Sequence, residues 1–213
     1  MKFVGIGVHL RREDVAAPAE AFPAGVLFVS GLGVADDQPL SDRELIVRVA
    51  NVRAALLDRA TFIAIRYGFT FRTAAEAESK CAGRLDAWKR LLEENRDRVE
   101  FTLKVAAPGA PRPDRRDFKS GADYLRALHG ARDAASVPSG FRDAVERVVA
   151  PLAARHRWMK RDTTSVEFAG LIDRDALPRL AEAGDELRSQ AGGVPFLLSA
   201  PWPLEVFADA DHE

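Results

Sequence analysis

Apolar positions along this chain follow two rhythms, a β-like alternation and a helical spacing, and the points where one gives way to the other outline the fold. Lys2 to Leu10 and Val26 to Val34 are short, β-branched and punctuated by glycine, which predicts two strands, with the Ala-Pro segment between them as a loop. Ser41 then offers an N-cap, and Glu44 completes a capping box. Beyond it Leu45, Val49, Val52 and Leu56 recur at helical spacing and define one apolar face. The stretch TFIAIRYGFTF, 61–71, is β-rich and predicts a further strand broken near Gly68. Thr73 caps a long predicted helix whose apolar side runs through Ala77, Cys81, Leu85, Trp88 and Leu92. VEFTLKV, 99–105, alternates as a half-buried strand.

The following stretch, 106–120, is rich in proline and charge without periodicity and is expected to be a long loop. Its RPDRR cluster reads as a solvated loop in preference to an anion site. Leu125, Leu128 and Ala131 mark one helix, and Phe141, Val145, Val148, Val149 and Leu152 mark another, with a break at 137–140. RWMKRDTTSVEFAGLID predicts a hairpin about Asp162-Thr163-Thr164, with Glu167 and Asp173 on its wet face. Leu177, Leu180, Ala183 and Leu187 give a last amphipathic helix, stopped by Gly192-Gly193 and followed by the strand VPFLLSA.

The expected class is therefore α+β, with two small α+β domains. From Val99 the order is strand, two helices, hairpin, helix, strand, the split βαβ order of a ferredoxin-like sandwich with its first helix doubled. The boundary falls near 97, giving an N-terminal domain at 1–97 and a C-terminal domain at 98–213 that carries the loop at 106–120 and a terminal Pro-Trp-Pro tail. In that tail Pro201 and Pro203 are expected to end regular pairing and hold Trp202 on a stiff segment, because proline fixes φ and donates no hydrogen bond. Such a segment either plugs a core or presents its ring to a partner; the expectation for Trp202 is a structural anchor first and a partner contact second.

Composition narrows the function classes. The 213 residues are 47% hydrophobic and 30% charged, enough for a sizeable core. A net charge of -1 argues against nucleic acid as a partner. Cys81 is the sole cysteine, on an apolar helix face, and reads as a small buried hydrophobe. The N-terminus has no signal-peptide pattern, and no apolar run is long enough for a membrane span, so a cytoplasmic protein is expected.

The chemistry is sparse. His9, His129, His156 and His212 are scattered without ligand spacing, so no metal is expected. GIG at 5–7 and GLG at 31–33 lack the third glycine and the helix of a dinucleotide loop and read as strand bends or turns. No catalytic residue or cofactor site is expected. Two aromatic features stand out: Tyr67, Phe69 and Phe71 around Gly68, and the terminal APWPLEVF.

These segments, taken in order, resemble the GvpL/GvpF family of gas vesicle proteins. IAIRYGFTF, the helix through Trp88 and VEFTLKV stand where the family has a PLRFGTVF-like strand, a long helix and a VE-x-x-V strand. SGADYL at 120–125 is similar to an SGRAYL-like helix start, and FLLSAPWPLEVF to an LTGPWPPYSF-like tail. The chain departs from the pattern at Asn51, at Phe69-Thr70, at Ala200, and at Leu204-Glu205, where Pro-Tyr is usual. The resemblance implies a non-enzymatic, cytoplasmic, gas-vesicle-associated factor that binds the hydrophobic shell subunit or other accessory proteins during assembly. Tyr67, Phe69, Phe71, Trp202, Leu204 and Glu205 are the candidate partner contacts. The competing readings are a divergent relative serving another assembly, and a small-ligand binder or enzyme using an interdomain cleft.

Overall fold

The computed structural model describes residues 1–106, 112–134, 136–160, 162 and 164–209. Part of the expected loop at 106–120, Thr163 of the expected hairpin turn with Arg161 just before it, and the acidic end with His212 lie outside the described residues. The chain forms two compact units, and their make-up corrects the expected division. The first comprises Met1–Val99 together with the tail from Trp202 onward; the second is Glu100–Pro201.

In the first unit, β1 (Lys2–His9), β2 (Ala19–Ala24) and β3 (Leu27–Val34) form an antiparallel sheet. The Ala-Pro segment is thus a strand where a loop was expected. Its Pro23 is tolerated because β2 is the sheet edge, in the order β2-β3-β1-β4, where a missing donor costs little. Helix α1 (Arg43–Leu57) follows and buries Leu45, Val49, Val52 and Leu56 as the periodicity predicts. Its N-cap is Asp42, one residue beyond the predicted Ser41: the Asp42 carboxylate accepts from the Glu44 amide and is held by Gln38 Nε2 at 2.9 Å.

The expected strand at 61–71 becomes two short pieces, β4 (Ile63–Ala64) and β5 (Thr70–Phe71), both paired with β1. The single helix predicted after Thr73 is likewise divided into α2 (Ala74–Cys81) and α3 (Leu85–Glu94) by a 3-10 turn at Ala82–Arg84. Thr73 does cap it, accepting from the Glu76 amide at 3.2 Å.

Three of the four glycines in GIG and GLG have a packing explanation. A Cβ on Gly5 would lie 2.7 Å from the Phe69 ring, and one on Gly31 would lie 2.7 Å from the Phe71 ring. A Cβ on Gly7 would overlap the Phe62 ring and approach the Ile63 carbonyl at 2.9 Å. At Gly5, Gly7 and Gly31 an aromatic ring occupies the space a Cβ would need, whereas a Cβ on Gly33 would make ordinary contacts. Phe62 is fully buried and Ile63 O is backbone, so neither can retreat. Gly7→Ala is expected to cost about 1 to 3 kcal/mol by overpacking. Urea unfolding measures this; unchanged stability would mean that the ring has room.

The second unit is built on β6 (Arg98–Ala106), α4 (Gly121–Ala134), α5 (Ser139–Val148), β7 (Arg155–Lys160), β8 (Ser165–Asp173), α6 (Leu177–Gln190) and β9 (Phe196–Trp202), with sheet order β7-β8-β6-β9. Asp173 at the end of strand β8 is exposed, whereas the strand is buried over Ser165–Ile172, so Glu167 does not stand on the wet face expected for it. Its place inside the sheet, between β7 and β6, accounts for this. Leu125, expected on the apolar side of its helix, is exposed. Strand β9 runs on through Pro201 to Trp202, with a cis Ala200–Pro201 peptide, instead of ending before the prolines. The chain then closes with the short helix α7 (Val206–Asp209).

Candidate partner-binding cleft

The site is built on the irregular edge of the first sheet. Between β4 and β5 the chain stays tied to β1: Ile65 N–H donates to Ile6 O at 3.2 Å and Phe69 O accepts from Gly5 N–H at 2.8 Å. The intervening Arg66–Gly68 excursion closes through Phe69 N–H to Arg66 O at 3.2 Å, and Gly68 has φ 98°, a conformation that favours glycine. Thus the sequence break at Gly68 is a deliberate outward loop on a sheet edge.

The tail packs on the other side of β4. Leu204 N–H donates to Phe62 O and Leu204 O accepts from Ala64 N–H, both at 2.9 Å, making a parallel bridge between Ile63 and Leu204. Leu204 and Phe207 are buried in full or nearly so, Val206 and Ala208 are also buried, and Glu205 between them is exposed. Hence the ring between the prolines is not the anchor: Trp202 is 48% exposed, whereas Leu204 is 0%. Leu204, two positions past the ring, does the fastening, through its bridge to Ile63 and its full burial.

Edge, tail and helices enclose a cleft of about 580 Å³. Ile63, Ile65 and Trp88 contribute buried apolar surface to it, and Phe69 is half-buried there. Arg66, Lys80, Arg84 and Glu205 line it as exposed charged groups. Lys80 is fixed by bonds to Thr70 O at 2.6 Å and Glu76 Oε1 at 2.8 Å, and its ammonium lies 5.6 Å from the Phe69 ring centroid. Arg84 stands over Trp88 at 5.8 Å. The indole Nε1 of Trp88 is buried without a hydrogen-bond partner among the described residues. Behind the tail, Arg53 of α1 donates to the Ile65 carbonyl; burial pushes its guanidinium down from the ordinary value, and the Glu205 carboxylate opposes that shift.

Of the residues singled out from sequence, the structure brings Phe69 and Glu205 to this one cleft. Phe71 is 1% exposed and packs edge-on against Phe22, so as a partner contact it is corrected to core, as is Leu204. Tyr67 is half-buried, with its hydroxyl donating to Leu40 O at 2.6 Å; burial raises its pKa, with Asp42 adding to the rise. Sequence reasoning missed Arg66, Lys80, Arg84 and Trp88. The spacing of Lys80, Arg84 and Trp88 along one helical stretch was the available signal.

Burial pushes the Cys81 thiol up, against a smaller opposing effect of Arg84, which disfavours the nucleophilic thiolate. Among the described residues no cluster of three His, Cys, Asp or Glu side chains could hold a metal ion, and no helix is long and apolar enough to cross a membrane.

The fold is a mixed helix-and-sheet architecture shared with gas vesicle proteins of known structure. GvpF from Microcystis aeruginosa superimposes with a TM-score of 0.70 at 12% identity, over 97% of this chain and 98% of that one. GvpF from Anabaena sp. PCC7120 gives 0.63 at 11% identity, with the same coverage of each chain. No curated protein matches the chain. The sequence profile of the gas vesicle synthesis protein GvpL/GvpF family matches residues 17–208, and the chain belongs to that family. Membership places it in gas vesicle formation.

Proposed function

We propose that this chain is a non-enzymatic accessory factor that binds the hydrophobic shell subunit, or another accessory protein, during gas vesicle assembly. We also place it in the cytoplasm, associated with forming vesicles. The observation that carries the reading is the cleft at the sheet edge, where apolar Ile63, Ile65, Phe69 and Trp88 adjoin exposed charges. A shell subunit exposes apolar surface before it polymerises. An aromatic-lined recess with a charged border suits such a partner, since binding energy concentrates in buried apolar anchors and the border sets orientation.

The test is co-purification of tagged protein with the shell subunit expressed alongside it. Phe69→Ala removes a half-buried ring from the cleft and is expected to reduce the captured subunit several-fold. Leu125→Ser, at an exposed position in the second unit, is expected to leave capture unchanged. Equal capture by wild type and Phe69→Ala, with both proteins folded by circular dichroism, would remove the cleft from the interface.

A further inference from the structure

From the donors and charges in the cleft, we infer that its occupant is an amphipathic helix of the partner that carries carboxylates beside an apolar ridge. The inference rests on the reading of the cleft as a partner-binding surface and adds what that partner must present. Three observations on this chain lead to it.

The first is charge. Arg66, Lys80 and Arg84 line the cleft, Lys80 paired with Glu76, and Glu205 is the one carboxylate lining it among the described residues. The second is hydrogen-bond polarity: the guanidinium and ammonium groups on the cleft only donate. A donor-rich recess calls for a ligand rich in acceptors, and carboxylates are the strongest that a protein offers. The third concerns backbone pairing. The outer edge of β4 at Phe62 and Ala64 is already taken by Leu204, so an incoming chain cannot add there as another strand. Recognition falls to side chains, and a helix laid along Ile63, Ile65, Phe69 and Trp88 can present an apolar ridge to them while its flanks meet the arginines and lysine.

Glu205 has a definite part in this arrangement. It is exposed, it borders the same recess, and Arg53 behind it partly offsets its charge. Its carboxylate disfavours an acidic flank on the tail side of the cleft. The carboxylates of the partner helix are therefore expected away from Glu205, in reach of Arg66 or Arg84.

Fluorescence anisotropy with labelled synthetic helices tests the inference on the full chain. One peptide carries a leucine ridge flanked by glutamates; a second has the same ridge flanked by lysines; unlabelled polyglutamate serves as competitor. The glutamate peptide is expected to bind roughly tenfold or more tightly than the lysine peptide, and to weaken as salt is added. The paired reversal Arg66→Glu with Arg84→Glu is expected to invert the preference, and Glu205→Gln to tighten the glutamate peptide a few-fold. Should the paired variant not fold, Arg66→Glu alone carries the comparison, because Arg66 is exposed.

Equal binding of the two peptides, or a preference untouched by the arginine reversal, overturns the inference. Competition by polyglutamate as effective as that by the glutamate peptide also overturns it, since it would show an anion site without an apolar ridge. The outcome is separable from that of the proposed function. If Phe69→Ala loses the shell subunit while neither peptide binds selectively, the cleft remains the interface and only the acidic helix is wrong.

Discussion

Leu204→Ala is expected to lower stability by about 2 to 5 kcal/mol, and Trp202→Ala by about 1 kcal/mol. The difference follows from burial. Leu204 is fully enclosed, while nearly half of Trp202 is in solvent. Truncating Leu204 leaves a cavity under the bridge that joins the tail to β4, whereas truncating Trp202 removes a ring that water already reaches. Denaturant unfolding of the two variants ranks them directly. The Leu204 variant is also expected to bind partner poorly, because Glu205 and Ala208, which help line the cleft, are carried by the same tail. The reverse ranking would restore Trp202 as the anchor and require the ring to be more enclosed than its exposure indicates.

The second large effect is on acid stability and centres on His9. Its ring is fully buried, stacks on Phe62 at 5.0 Å, and lies 2.8 Å through Nε2 from Ser30 Oγ. The Ser30 hydroxyl donates to Gly7 O at 3.2 Å, so the proton between His9 and Ser30 belongs to Nε2, and Nδ1 is the bare, buried nitrogen. Burial lowers the His9 pKa from 6.5 to about 4, against a smaller raising effect of Asp14. The folded pKa is below the unfolded one. Between them the unfolded chain binds a proton that the folded chain refuses, so this contribution is whole above pH 6.5 and is lost as pH falls toward 4. The shift corresponds to roughly 3 kcal/mol. His9→Gln, neutral throughout, should flatten the pH dependence of urea unfolding between pH 6.5 and 4. If the variant keeps the full slope, His9 is not its source.

How much of this was legible in the sequence depends on the range of the interactions involved. Helix faces such as Leu45-Val49-Val52-Leu56 were readable because periodicity is local. The shift of the cap from Ser41 to Asp42 was not, since both residues can cap and the side-chain bond from Gln38 that holds Asp42 is no part of a capping pattern. β2 escaped notice because Pro23 argues against a strand unless the strand is known to be an edge, and edges are set by pairing order. Glu167 misled for the same reason: alternation marks a wet face only when the other side of the sheet is open. The cleft was half visible. Phe69 and Glu205 stood out one by one, but their meeting depends on the tail crossing back to β4, a contact between residues far apart in the chain.

That crossing turns the second unit into an insertion within the first. During synthesis, the first hundred or so residues emerge without Leu204 and Phe207, and roughly 5 to 20 s of elongation pass before these can dock. The sheet edge at β4 stays open throughout that interval, and so does the recess that Glu205 and Ala208 later help to wall. The wall that Glu205 and Ala208 form is therefore the last part of the cleft to be made, and a chain broken off in the second unit lacks it. Completion of the cleft thus becomes a report that translation has run through the second unit.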